Sequence, residues 1–196
     1  MVLKPGHAEL AYRARRRFLT AWKPDVVIAI DRWDSYGGKP GQFEARLRGF
    51  VAEIGRKSRS ILLFNQIPVL EVGEELNLRE YVSWKARHAG ELPEIGRSSF
   101  EPNRVSANRV LEEVAHGSSA VRVLEVDEPF LGEGGTVRWH FGREFAYADD
   151  DHLSEAGAEK VHGLVSRAID DALGAAPASA VPAEEEVAWP AMGQRP

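Results

Sequence analysis

The sequence contains no cysteine. Structural disulfides, thiolate catalysis and cysteine-ligated metal sites are therefore excluded, although no compartment is named by that absence. No run of about 18 apolar residues occurs, so no segment has the length and hydropathy of a membrane-spanning helix. A signal peptide is also missing from the first 22 residues: Arg13, Arg15, Arg16 and Arg17 stand where its apolar stretch would lie. An excess of positive charge is lacking, with 25 Lys and Arg against 30 Asp and Glu and a net charge of -5. Wholesale binding to nucleic acid is not indicated by that balance. There is no Walker loop, no Rossmann glycine fingerprint and no His-Glu-x-x-His helix.

What is present suits one globular domain. The 196 residues are 43% hydrophobic and 28% charged, enough to build a proper core. Leu10, Ala14, Phe18 and Trp22 recur at helical spacing and predict a helix over residues 7–22, with most of its arginines on the solvated face. Three short apolar runs follow. Asp25 to Ile30, Ser60 to Asn65 and Val121 to Val126 read as buried parallel strands, the first two nearly uninterrupted in apolar residues and rich in β-branched ones. Helices are expected around Phe43–Ile54, over Leu76–His88, after Pro102 with Val105, Val110, Leu111 and Val114, and over Ser154–Leu173, where Ser154 is the expected N-cap. Residues 31–41 and 91–102 read as loops, and 130–145 as an irregular connection. From Gly174 the composition shifts to Ala, Pro and Glu. The expected organisation is one domain over 1–174 and a disordered tail over 175–196. Alternating helices and strands predict an α/β sandwich around a mostly parallel sheet.

In such sheets, sites form beyond the carboxyl ends of the strands. Three loops qualify: Asp31–Tyr36, Gln66–Pro68, and the acidic loop Asp149-Asp150-Asp151-His152 that enters the last helix. An acid three residues before a histidine can hold one ring nitrogen and leave the other to accept a proton from a hydroxyl. Asp149 and His152 are the best such pair, although Asp150 and Asp151 also flank the imidazole. The competing reading is an acidic loop that caps a helix. A divalent cation on the same groups is a third, set aside because neighbouring residues rarely all turn toward one ion. Arg32 and Trp33 stand where a ligand could stack or an oxyanion could be paired. Ser35 is the alternative nucleophile.

Three stretches resemble the SGNH hydrolase superfamily: Lys23–Trp33, Ile61–Pro68 and Tyr147–Ser154, the last matching the family's Asp-x-x-His block. They are most similar to the SGNH domains at the C-terminus of membrane O-acyltransferases that modify surface polysaccharides. The resemblance implies a flavodoxin-like three-layer α/β/α fold. It implies a Ser-Asp-His site that passes an acyl group to a sugar hydroxyl or to water, with Asp149 orienting and His152 as base. Trp33 and Gln66 occupy the places of the oxyanion donors. An acyl donor, a carbohydrate acceptor, an upstream membrane acyltransferase domain and an extracytoplasmic setting follow from the same resemblance. No cofactor is implied.

The family's first strand ends in Gly-Asp-Ser, which supplies the nucleophile. That tripeptide occurs nowhere in these 196 residues. The expectation is a truncated or degenerate domain, with its first strand missing and little activity alone. A non-catalytic carbohydrate-binding module that stacks sugars on Trp33 and Tyr36 is the alternative.

Overall fold

The computed structural model describes residues 14, 17–18, 21–72, 77–89 and 92–174. The chain runs β1 (Val26–Ala29), α1 (Asp34–Gly37), α2 (Pro40–Gly55), β2 (Ser60–Phe64), α3 (Leu78–Ala89), β3 (Ile95–Gly96), α4 (Glu101–His116), β4 (Val121–Leu124), β5 (Thr136–Val137), β6 (His140–Phe141), β7 (Glu144–Phe145) and α5 (Glu155–Gly174). Most of the expected helix over 7–22 and the whole expected tail lie outside the described residues.

The main sheet has the order β1-β2-β4, and both pairings are parallel. Side chains of a strand alternate between faces, and the two cores sort accordingly. Ile61 and Leu63 of β2 join Val27 and Ala29 of β1 and Val121 and Val123 of β4 in one core, which α2 and α4 cover with Phe43, Leu47, Val51, Ile54, Val110, Leu111 and Val114. Leu62 and Phe64 point the other way, with Val26 and Leu124, into a core built from α3, α5 and the 126–147 region. The result is a three-layer α/β/α sandwich of flavodoxin-like type. Opposite faces of a fully covered parallel sheet are both apolar, which is why the strands read as continuous apolar runs.

Two expectations change. β1 is parallel but not buried: Ile28 is 39% and Ile30 70% exposed. It pairs only with β2 and is an edge strand among the described residues. In α4 Val110, Leu111 and Val114 are buried as expected, and one residue of the expected set is not. Val105 is half-exposed, while Arg104 and Ala107 are buried. The helix also starts one residue before Pro102, which sits in its first turn, where a missing N–H costs nothing. Within the regions expected as loops or irregular chain, β3 pairs antiparallel with β5, and β6 with β7. Each of these strands is only two residues long, too short to leave a periodic signature.

Candidate active site

The three loops expected to share a rim do share one. The first and third are joined by Arg32, whose Nη1 donates to Asp151 Oδ2 at 2.8 Å while Nε donates to Asp34 Oδ1 at 3.2 Å. The first and second are joined by Asp34 N–H donating to Gln66 Oε1 at 2.6 Å and by Trp33 Nε1–H donating to Phe64 O at 2.8 Å. Leu70 N–H donates to Asp150 O at 2.9 Å and ties the second to the third. All of these lie past the carboxyl ends of β1 and β2.

The acidic loop is shaped before it meets anything else. Asp149 Oδ1 accepts the backbone N–H groups of Asp151 (3.0 Å) and His152 (2.8 Å), a local turn that folds the chain back on itself. Tyr147 bridges Leu153, and Ala148 N–H donates to His152 O at 2.8 Å. The next residue, Ser154, caps α5: its Oγ accepts Gly157 N–H at 3.2 Å and donates to Phe145 O. Gly157 is required there. A Cβ on it would stand 2.0 Å from Ala146 O, so only glycine lets the helix approach the loop this closely.

Within that turn, His152 Nδ1 lies 3.0 Å from Asp149 Oδ2 and 2.7 Å from Asp151 Oδ1. Sequence spacing left the orienting acid open among three aspartates. Only the Asp149 contacts have hydrogen-bond alignment. Asp151, though closer, is directed to Arg32. Asp149 is therefore the carboxylate hydrogen-bonded to the ring, and Asp151 contributes its charge. A carboxylate that accepts from Nδ1–H fixes the tautomer and leaves Nε2 as the free base. The imidazole is 74% exposed, so that nitrogen is open to an incoming group.

The protonation equilibria follow from these contacts. The hydrogen bond to Asp149, then the charges of Asp151 and Asp149, raise the His152 pKa above its ordinary value. Burial alone would raise the Asp149 carboxyl, but the two backbone N–H groups and the imidazole outweigh it and bring it down. Asp151 is raised by burial and by neighbouring Asp150, with Arg32 and His152 opposing. Donor atoms of Asp149, Asp151 and His152 fall within 4.8 Å of one another. Three of the four acidic-loop residues thus do converge, against the expectation that such neighbours diverge. Their hydrogen bonds go to one another and to Arg32.

The remaining candidates are placed as follows. Trp33 turns inward. It is buried against Phe43 at a ring separation of 5.7 Å with its N–H spent on Phe64 O, so it offers neither a stacking face nor an oxyanion donor. The expected ligand role is corrected to a core role. Gln66 is buried. Its Oε1 is engaged by Asp34 N–H, its N–H donates to Asn108 Oδ1, and its Nε2 has no partner among the described residues. Ser35 Oγ donates to Arg32 O at 2.8 Å and makes no bond to His152.

A second polar layer lies beneath the rim and was not legible beforehand. Arg104, 5% exposed, donates to Glu101, Asp127 and Gln66 O at 2.7–2.8 Å. Asn65 Nδ2 donates to Asp127 Oδ1 at 2.6 Å. This network holds the ends of β2 and β4 in fixed relation and so fixes the floor under Gln66. A polar residue at a core phase of α4 was the available signal.

A family model described as "SGNH domain (fused to AT3 domains)" matches residues 4–167. No curated protein matches the chain. The family match supports an SGNH-type acyltransferase or esterase domain. Most of the sequence is covered by the match, and the chain belongs to the family of SGNH domains fused to AT3 domains.

Proposed function

We propose that this domain supplies the acid-base half of an O-acyl transfer site acting on acylated carbohydrate. The observation that carries this reading is the Asp149–His152 pair, with Nδ1 held by a carboxylate and Nε2 open. In the reaction, His152 Nε2 takes the proton of a serine hydroxyl as its oxygen attacks the acyl carbonyl. The imidazolium formed is stabilised by Asp149 and returns the proton to the departing alkoxide. The acyl group, now on serine, passes to a sugar hydroxyl or water, with His152 again as base and the serine released. Gln66 Nε2 is the remaining donor assigned to the oxyanion.

The serine belongs to a Gly-Asp-Ser strand outside these 196 residues. What supports that assignment is the edge of β1. Its outer backbone groups are unpaired among the described residues, and its neighbouring side chains Ile28 and Ile30 are exposed. An uncovered apolar edge is ordinarily avoided, and a parallel strand laid on it would end beside the acidic loop. The membrane AT3 domain found in fused members is the partner assigned to the acyl-donor side. The sugar-stacking module has no support at Trp33, which is core.

The test is turnover of 4-nitrophenyl acetate. The chain alone is expected to show none above background. Joining it behind a front segment of an SGNH domain that carries Gly-Asp-Ser is expected to produce turnover. His152→Ala in the joined protein should lower it by about a hundredfold or more, while Ser35→Ala leaves it unchanged. Turnover by the chain alone that disappears with Ser35→Ala would place the nucleophile in α1 and overturn the strand assignment.

A further inference from the structure

Beside the acidic loop lies a groove of about 630 Å³ between α1, the start of α2 and the start of α4. Its walls carry an unusual charge balance for an acidic protein. Arg32, Lys39 and Arg46 line it, against one carboxylate, Asp34, which is buried and already bound by Arg32. Lys39 and Arg46 are exposed and form no ion pair among the described residues. On the rim, Asp31 stands near the Tyr36 hydroxyl, as does Arg46, so one acid faces the cations from outside the groove.

The other lining groups suit a sugar. Gln42 and Asn103 contribute side-chain amides with no hydrogen-bond partner among the described residues, able both to donate to and to accept from hydroxyls. Phe100 leaves 53% of its surface exposed at the mouth, a flat apolar face of the kind that packs on a pyranose ring. The far wall is held rigid, since Tyr36 stacks on Phe43 at 5.3 Å. The N-terminal turns of two sixteen-residue helices, α2 and α4, border the same space and add partial positive charge to that of the side chains.

We propose that this groove is the acceptor subsite and that it takes a carboxylate-bearing sugar residue of a glycan. Arg46 and Lys39 pair with the carboxylate, Gln42 and Asn103 bind ring hydroxyls, and Phe100 covers the apolar ring face. Arg32, which lines the groove and also bonds Asp151, links the groove to the His152 loop, and on this proposal the sugar's hydroxyls are presented toward the base from that wall. The acceptor role rests on the acyl-transfer reading, whereas the binding itself does not.

Binding is therefore measured first, by calorimetry on the 196-residue chain. The probes are a short oligogalacturonate, its fully methyl-esterified form and inorganic phosphate. The oligogalacturonate is expected to bind, with affinity falling as salt rises because the cations are exposed. The methyl ester should bind at least tenfold more weakly, and phosphate should not compete at equal concentration. Arg46→Ala should weaken oligogalacturonate binding by about tenfold, the loss of one charge-assisted pair. Phe100→Ala should weaken it severalfold, and His152→Ala should leave it unchanged. Both groove variants change exposed side chains, and circular dichroism confirms that each remains folded. Absence of binding, equal binding of the methyl ester, equal competition by phosphate, or insensitivity to Arg46→Ala would each overturn the subsite. Loss of the catalytic reading would show instead as turnover indifferent to His152→Ala, with these binding results intact.

Discussion

β1 and β2 are neighbouring strands of similar apolar composition, yet their surroundings are opposite. Ile61, Leu62 and Leu63 of β2 are fully buried between two helical layers, whereas β1 has one partner strand among the described residues, and Ile28 and the following Ile30 are exposed. An apolar run therefore reports that a strand is fit for burial. It does not report that the strand is covered by the rest of the same sequence. On the β2 side the domain is finished, and the rim above it is braced by the Arg104 network. On the β1 side no further strand pairs with the sheet among the described residues, and no described serine bonds His152.

The comparison is broken most severely at the braced end. Arg104→Ala leaves Glu101 and Asp127 without their buried cation, and a loss of about 3–5 kcal/mol is expected in urea unfolding. An Arg104→Ala protein as stable as the parent would show that the network is not what holds the rim. Next comes a matched pair within the sheet. Leu62→Ala should cost about 2–5 kcal/mol, as for a buried leucine that leaves a cavity. Ile28→Ala should cost about 1 kcal/mol, near the centre of the distribution for single substitutions. Equal losses would mean that β1 is as well covered as β2 in solution.

The smallest effect is electrostatic and concerns His152 itself. Its titration midpoint, followed by NMR of the ring protons, should lie above the ordinary value of about 6.5 and fall toward it in Asp149→Asn. The sign for stability follows. Because the folded pKa of His152 is raised, its contribution is full below its unfolded pKa and is lost as pH rises through the folded midpoint. Asp149 is lowered, so its contribution is present above its unfolded pKa and is lost as pH falls through the folded one. The pair stabilises most between those limits. In the joined, active protein, turnover should rise with pH through the His152 midpoint, since the base must be neutral. A midpoint unmoved by Asp149→Asn would transfer the orienting role to Asp151.

The fold class and the Asp149–His152 pair were legible in sequence for the same reason: both are local. Strand runs, helical spacing and an acid three residues from a histidine need no knowledge of distant chain. What was hidden depended on long-range pairing. Arg32 meets Asp151 across 119 residues, and nothing local announces it. A loop over residues 31–41 would leave Trp33 free for a ligand; α1 instead begins at Asp34, and the preceding turn drops the indole onto Phe43. Val105 marks the helix by its apolar character yet is half-exposed. The helix instead faces inward at Arg104, whose charge is neutralised by partners 3 and 23 residues away. Ile28 and Ile30 carried the burial signal of a central strand in a place where the described chain provides no cover.

The most direct measurement is amide hydrogen exchange at Val26–Ala29 of β1, with and without the Gly-Asp-Ser front segment of an SGNH domain. The account predicts that the β1 amides slow by about tenfold or more when that segment is present, while those of Ile61–Leu63, already enclosed, remain unchanged. Unchanged exchange at β1, in a mixture or fusion that nonetheless turns over ester, would contradict the claim that the open edge receives the strand bearing the nucleophile.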